Sequence, residues 1–162
     1  MQNNLETLRS LCANGVDFIL VGALAAVLNG APITTYDVDV VFAVNPENVS
    51  RVLNWIEQAQ GIFRIQPERR LRPNESHVSA GRHLNLVTRY GAVDLLGFIG
   101  DDLKYEQLLP RTNEMEIGGG VRIRVLDLET IIAIKEKLAT EKDLAALPTL
   151  RSTLKLIRAK QS

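Results

Sequence analysis

Three short apolar runs, Phe18-Ile19-Leu20-Val21, Val38-Asp39-Val40-Val41-Phe42-Ala43-Val44 and Ala92-Val93-Asp94-Leu95-Leu96-Gly97-Phe98, alternate along the chain with stretches of helical spacing. Such runs are too short for helices and rich in β-formers, so they read as strands. Between them, Leu5, Leu8, Leu11 and Cys12 mark a first helix ended by Gly15. Gly22 turns the first strand into good helix formers, Ala23 to Asn29, stopped by Gly30. Asn45-Pro46-Glu47 is a helix start, with Asn as N-cap, Pro in the first position and an acid in the first turn. Val49, Val52, Leu53 and Ile56 then form its apolar stripe. Gly118-Gly119-Gly120 between Met115-Glu116-Ile117 and Val121 to Val125 predicts a hairpin, and two helices follow, about 128–139 and 142–158. Residues 62–90 show strand-like ends around an Arg-rich middle. The interleaving predicts an α/β (α+β) fold with a mixed sheet and at least one antiparallel pair. We expect a single domain over residues 1–162, with C-terminal helices at about 127–158 packing on its core.

The composition agrees with a globular domain: 162 residues, 46% apolar and 23% charged. It excludes a disordered, collagen-like or disulfide-scaffold chain. No apolar run approaches the roughly 20 residues that cross a bilayer, so no membrane partner is expected. Met1 to Glu6 lack the basic start and apolar stretch of a signal peptide. The single cysteine, Cys12, excludes an internal disulfide and a cysteine-rich zinc site; it reads as a small buried hydrophobe in a cytoplasmic protein. The zero net charge is a cancellation. Residues 1–60 carry 2 basic and 6 acidic side chains, 61–90 carry 6 and 2, 91–117 carry 2 and 6, and 118–162 carry 9 and 5.

Four elements carry candidate chemistry. Asp37 and Asp39, two apart on a strand, point to one face about 6.6 Å apart along the chain. Such a pair suits Mg2+, which takes one or two carboxylates and fills its other positions with water and phosphate; the alternative is a solvated strand end. Asp94 interrupts an apolar strand, where a carboxylate is costly unless paired or metal-bound; the alternative is an ion pair with a nearby arginine. The Val21-Gly22-Ala23 turn lets backbone N–H groups approach an anion closely. Lys135 falls on the apolar stripe of Leu128, Ile131, Ile132 and Leu138, either to meet a nucleotide phosphate or to pair with Asp143. A fifth feature, Arg64, Arg69, Arg70, Arg72, Arg82 and Arg89, is either a solvated surface or a contact for an acidic acceptor or NTP phosphates.

In combination these residues resemble the nucleotidyltransferase superfamily, whose signature is a strand, a Gly-rich turn, a helix, Asp-x-Asp on the next strand and a third carboxylate later. The closer resemblance is to small bacterial members of the AbiEii-type branch. The segments that carry it are Gly22 to Gly30, Ile33-Thr34-Thr35-Tyr36-Asp37-Val38-Asp39, Gly91-Ala92-Val93-Asp94-Leu95-Leu96, Leu126 through Lys135, and Lys142-Asp143-Leu144. The resemblance implies a mixed sheet flanked by helices with a C-terminal helical pair. It implies Asp37, Asp39 and Asp94 as catalytic, Mg2+-binding residues, with Asp94 assisting deprotonation of an acceptor hydroxyl. Gly22, Ala23, Thr35 and Lys135 would bind the NTP. The implied reaction transfers a nucleoside monophosphate to RNA, protein or a small molecule, and the Arg-rich 64–89 segment would meet an RNA or protein acceptor. Against the family pattern, Ala23 replaces a Gly or Ser, Asn29 a His, Ile33 an Arg, and Thr140 a position often Arg. Those departures favour a second expectation, a catalytically weak binding or regulatory module such as a toxin–antitoxin component.

Overall fold

The computed structural model describes residues 2–162. Seven strands form one sheet in the order β3-β4-β5-β2-β1-β9-β8. They are β1 (Phe18–Val21), β2 (Val38–Phe42), β3 (Ile62–Phe63), β4 (Leu84–Thr88), β5 (Gly91–Leu96), β8 (Thr112–Glu116) and β9 (Arg122–Leu126). Two pairs are parallel, β2 with β5 and β1 with β9; the other neighbours are antiparallel. A separate small hairpin joins β6 (Phe98–Ile99) to β7 (Leu103–Lys104). The helices are α1 (Asn4–Ala13), α2 (Gly22–Leu28), α3 (Pro46–Gln58), α4 (Glu75–Ser79), α5 (Tyr105–Leu108), α6 (Leu128–Leu138) and α7 (Glu141–Gln161). This is the mixed α/β fold expected, with helices flanking the sheet and a C-terminal helical pair.

The helix ends follow local chemistry. Asn45 accepts a hydrogen bond from the Asn48 amide and Pro46 opens α3, burying Val49, Val52, Trp55 and Ile56 on the sheet side. Trp55 is fully buried and its Nε1 donates to Ser10 Oγ at 2.8 Å, tying α3 to α1. Asp127 caps α6, and Thr140 with Asp143 form a capping box at the start of α7. α7 continues through Pro148, which removes one helical hydrogen bond, while Leu147, Leu150 and Thr153 on either side remain buried.

Two strands end earlier than the apolar runs suggest. β2 stops at Phe42 because the Asn48 side chain replaces the next return rung to β1, accepting from the Asp17 amide at 2.7 Å and donating to the Ala43 carbonyl at 2.7 Å. β5 stops at Leu96 because Gly97 lies against the Gly81 backbone, where any Cβ would overlap the Gly81 carbonyl. The 62–90 segment resolves into a two-residue strand, a short turn of helix at Pro67–Arg69, the five-residue α4 and β4. Among the described residues, no helix is long and apolar enough to cross a membrane.

Candidate functional site

Strand register assembles the site. Asp39 on β2 stands opposite Asp94 on β5, and Asp94 stands opposite Asn85 on β4. Val21, the last residue of β1, lies opposite Asp39 on the other side. Arg64 continues the row beyond Asn85, donating its amide to the Asn85 carbonyl at 2.9 Å. Cross-strand neighbours project to one face, so the row carries Asp39, Asp94, Asn85 and Arg64 side by side.

Within that row, Asp39 has its carboxyl pushed up to about 7. Burial is the largest cause, followed by the hydrogen bond and charge of Asp94 and the charge of Asp37, with Arg64 opposing. Two carboxylates this close compete for one proton, and they are hard oxygen donors that a divalent cation would relieve. Asp39 and Asp94 therefore fit a magnesium ion. Asp37 is exposed and precedes β2, and its carbonyl accepts from Thr35 Oγ1 at 3.4 Å. The described residues contain no group of three His, Cys, Asp or Glu side chains placed to hold a metal. The structure brings two of the three sequence-identified carboxylates together and leaves Asp37 at the approach to the strand.

Gly22 is required where it stands. Its φ is +70°, and a Cβ there would overlap the Asp39 carboxylate. The β1–α2 turn thus lies directly against Asp39, and no side chain caps the first turn of α2, where Ala23 follows. A cleft of about 270 Å³ opens beside this turn, lined by Gly22, Asp39, His83, Leu96, Ile134 and Lys135 among others. Lys135 Nζ meets Asp143 Oδ1 at 3.2 Å, the pairing that the apolar stripe left open as an alternative. Asp143 is held below the usual carboxylate range, chiefly by the Thr140 hydroxyl and further by Lys135, against its burial. A larger groove of about 530 Å³ runs between the α2–β2 connection and α7, lined by Gly30, Pro32, Pro148 and Ile157 among others; no member of the carboxylate row borders it.

The arginines divide. Arg64 Nη2 donates to Asp94 Oδ1 at 2.9 Å and to the Leu86 carbonyl at 3.1 Å, the ion pair weighed for Asp94. Arg69, Arg70, Arg72, Arg82 and Arg89 are exposed, and none pairs with a carboxylate among the described residues. Asn29, which departs from the family pattern, donates Nδ2 to the Ala25 and Leu126 carbonyls at 2.8 and 3.0 Å, joining α2 to the end of β9. Sequence reasoning missed His83, whose Nε2 lies 3.2 Å from the Phe98 carbonyl at the cleft. No spacing pattern marks it. Arg64 was one of six arginines, with nothing local to single it out.

No protein-family profile matches the sequence, and no curated relative matches it. Solved structures do match, among them the following two. One is the lincosamide antibiotic adenylyltransferase LnuA with lincomycin bound: TM-score 0.59, 14% identity, 91% of this chain and 94% of that one. The other is a candidate nucleotidyltransferase from Thermotoga maritima: TM-score 0.54, 20% identity, 93% of this chain and 89% of that one. At such identities the likeness speaks to architecture, and over nearly its whole length this chain has the fold of those nucleotidyltransferases.

Proposed function

We propose that the protein is a magnesium-dependent nucleotidyltransferase of the AbiEii-type branch, acting in the cytoplasm, that moves a nucleoside monophosphate from an NTP to a hydroxyl acceptor. The observation that carries this reading is the apposition of Asp39 and Asp94 across parallel strands, against the Gly22 turn. Asp39 and Asp94 would hold the cation, with Asp37 at the approach. Bound there, magnesium supplies charge neutralisation at the phosphate oxygens, which with positioning dominates phosphoryl-type transfer. The backbone N–H groups of Gly22 and Ala23 would face the phosphates, with Thr35 on the segment leading to Asp37. Lys135, although paired with Asp143, has three donors and keeps some for a phosphate oxygen. Asp94 would assist removal of the acceptor's proton.

The acceptor class is open among RNA, protein and a small molecule. LnuA, by its description, acts on a lincosamide antibiotic, which favours testing small hydroxylated molecules beside RNA. The unpaired arginines of the 64–89 segment favour an anionic acceptor, whose affinity would fall steeply with salt. A second reading, a catalytically weak binding module such as a toxin–antitoxin component, is favoured by one observation: among the described residues, no third His, Cys, Asp or Glu joins Asp39 and Asp94 in a metal-holding group. Calorimetric titration of Mg-NTP into wild type and Asp37→Ala/Asp39→Ala tests binding. Saturable binding by wild type alone is expected; equal binding, or none by wild type, contradicts the proposal. Label transfer from radioactive NTPs to cellular RNA, protein or small molecules separates the two readings, since a binding module transfers nothing.

A further inference from the structure

The Arg64–Asp94 contact is made by one nitrogen. Nη2 alone reaches Asp94, on Oδ1, while the same nitrogen also donates to the Leu86 carbonyl. Arginine commonly meets a carboxylate with two parallel bonds, which here would cover both oxygens. Instead Arg64 meets Asp94 on Oδ1 alone, and its buried Nε has no hydrogen-bond partner among the described residues. An orphaned buried donor is a cost that a purely structural ion pair avoids by turning its second edge to the carboxylate. The main chain of Arg64 is tied to the sheet edge, its amide donating to the Asn85 carbonyl at 2.9 Å.

We propose that Arg64 is a positioning residue that sets which divalent cation the Asp39–Asp94 pair accepts, by bonding Oδ1 of Asp94 and favouring that group as a single-oxygen ligand. The proposal rests on the metal reading above. Calcium takes six to eight oxygens and readily uses both oxygens of a carboxylate. Magnesium demands an octahedron and is satisfied by one oxygen from each of one or two carboxylates, plus water and phosphate. The Arg64 bond takes one lone pair of Oδ1 and lowers its donor strength, which weakens the two-oxygen grip that calcium favours, while magnesium still finds the one oxygen it needs. The positive charge of Arg64 also weakens every divalent cation alike, so the ratio of affinities, and not their absolute values, reports the geometric effect.

The test is Mn2+ binding to the full chain, followed by the loss of the free-ion electron paramagnetic resonance signal and by competition with Mg2+ and with Ca2+. Wild type is expected to favour Mg2+ over Ca2+. In Arg64→Gln, and in Arg64→Met, which keeps the packed aliphatic stem, that preference should shrink by about tenfold or more, the scale on which groups supporting a metal ligand act. Equal tightening of all three ions makes Arg64 a mere charge and overturns the proposal, as does an unchanged ratio in a variant whose circular dichroism is native. A wild type that binds no Mn2+ overturns the metal reading itself. A measurement on wild type alone guards against variants that do not fold: infrared carboxylate stretches of 13C-labelled aspartate with Mg2+ should show single-oxygen coordination, and two-oxygen coordination at Asp94 contradicts the proposal.

Discussion

Asp39→Asn should make the metal-free protein more stable at pH 8 while leaving its stability near pH 4 unchanged. The native carboxyl titrates at about 7 instead of its ordinary 3.8. The folded protein therefore holds this proton more tightly than the unfolded chain, and stability falls as pH rises from about 4 through about 7. Three units at about 1.4 kcal/mol each set a ceiling of about 4 kcal/mol. Asp39 is only partly buried and is coupled to Asp94 and Arg64, so we halve that to about 2 kcal/mol. The asparagine amide imitates the protonated carboxyl, with an N–H to donate to Asp94. For a domain of this size the difference corresponds to about 4–8 °C in Tm. The assay is thermal unfolding in chelator from pH 4 to pH 8.5, followed by circular dichroism. Wild type should lose Tm across that window more steeply than the variant, and millimolar Mg2+ should restore much of the loss in wild type only. Parallel pH profiles for the two proteins would refute the claim that Asp39 is held beside a like charge.

Three further outcomes follow from the packing. Gly22→Ala should cost about 2 kcal/mol in urea unfolding and weaken NTP binding, because both the positive φ and the Asp39 carboxylate oppose a Cβ; wild-type stability in this variant contradicts the close approach. Trp55→Ala should cost about 3–5 kcal/mol, since it empties a fully buried indole site and frees Ser10 Oγ; a loss under 1 kcal/mol means the α1–α3 contact is loose. Asp143→Ala should cost about 1–2 kcal/mol at pH 7, because it removes the N3 carboxylate that accepts from Thr140 in the α7 capping box and that pairs with Lys135. Because its carboxyl sits below the usual range, that contribution is present above the ordinary aspartate value and declines as pH falls through the folded one; a cost that does not decline with acidification contradicts this origin.

Much of the architecture was legible because it is local. The β1 run, the Asn45-Pro46 cap and the α3 stripe each specify an element from adjacent residues, and the triple glycine specifies the β8–β9 hairpin. The Lys135–Asp143 pair was visible as an alternative because both residues interrupt apolar stripes. The 62–90 segment was not legible, since a two-residue β3 and a five-residue α4 are shorter than the window over which periodicity accumulates. The site was legible in its residue types but not in its grouping. Asp37 and Asp39 look like a pair in sequence, yet β2 begins at Val38 and leaves Asp37 exposed. The pair that forms is Asp39 with Asp94, which depends on the parallel register of β2 and β5. Arg64 reaches Asp94 across thirty residues of chain and one intervening strand, and no spacing rule singles it out from its five neighbours.

The central claim is that Asp39 and Asp94 jointly hold the cation that carries an NTP against the Gly22 turn. Crystals of the protein with Mn2+ and a non-hydrolysable NTP analogue test it most directly, through the anomalous signal of manganese. The account predicts a manganese peak bound by carboxylate oxygens of both residues, with the triphosphate against the amides of Gly22 and Ala23. A peak that leaves Asp94 with Arg64 alone, or a nucleotide seated away from Gly22, would contradict it.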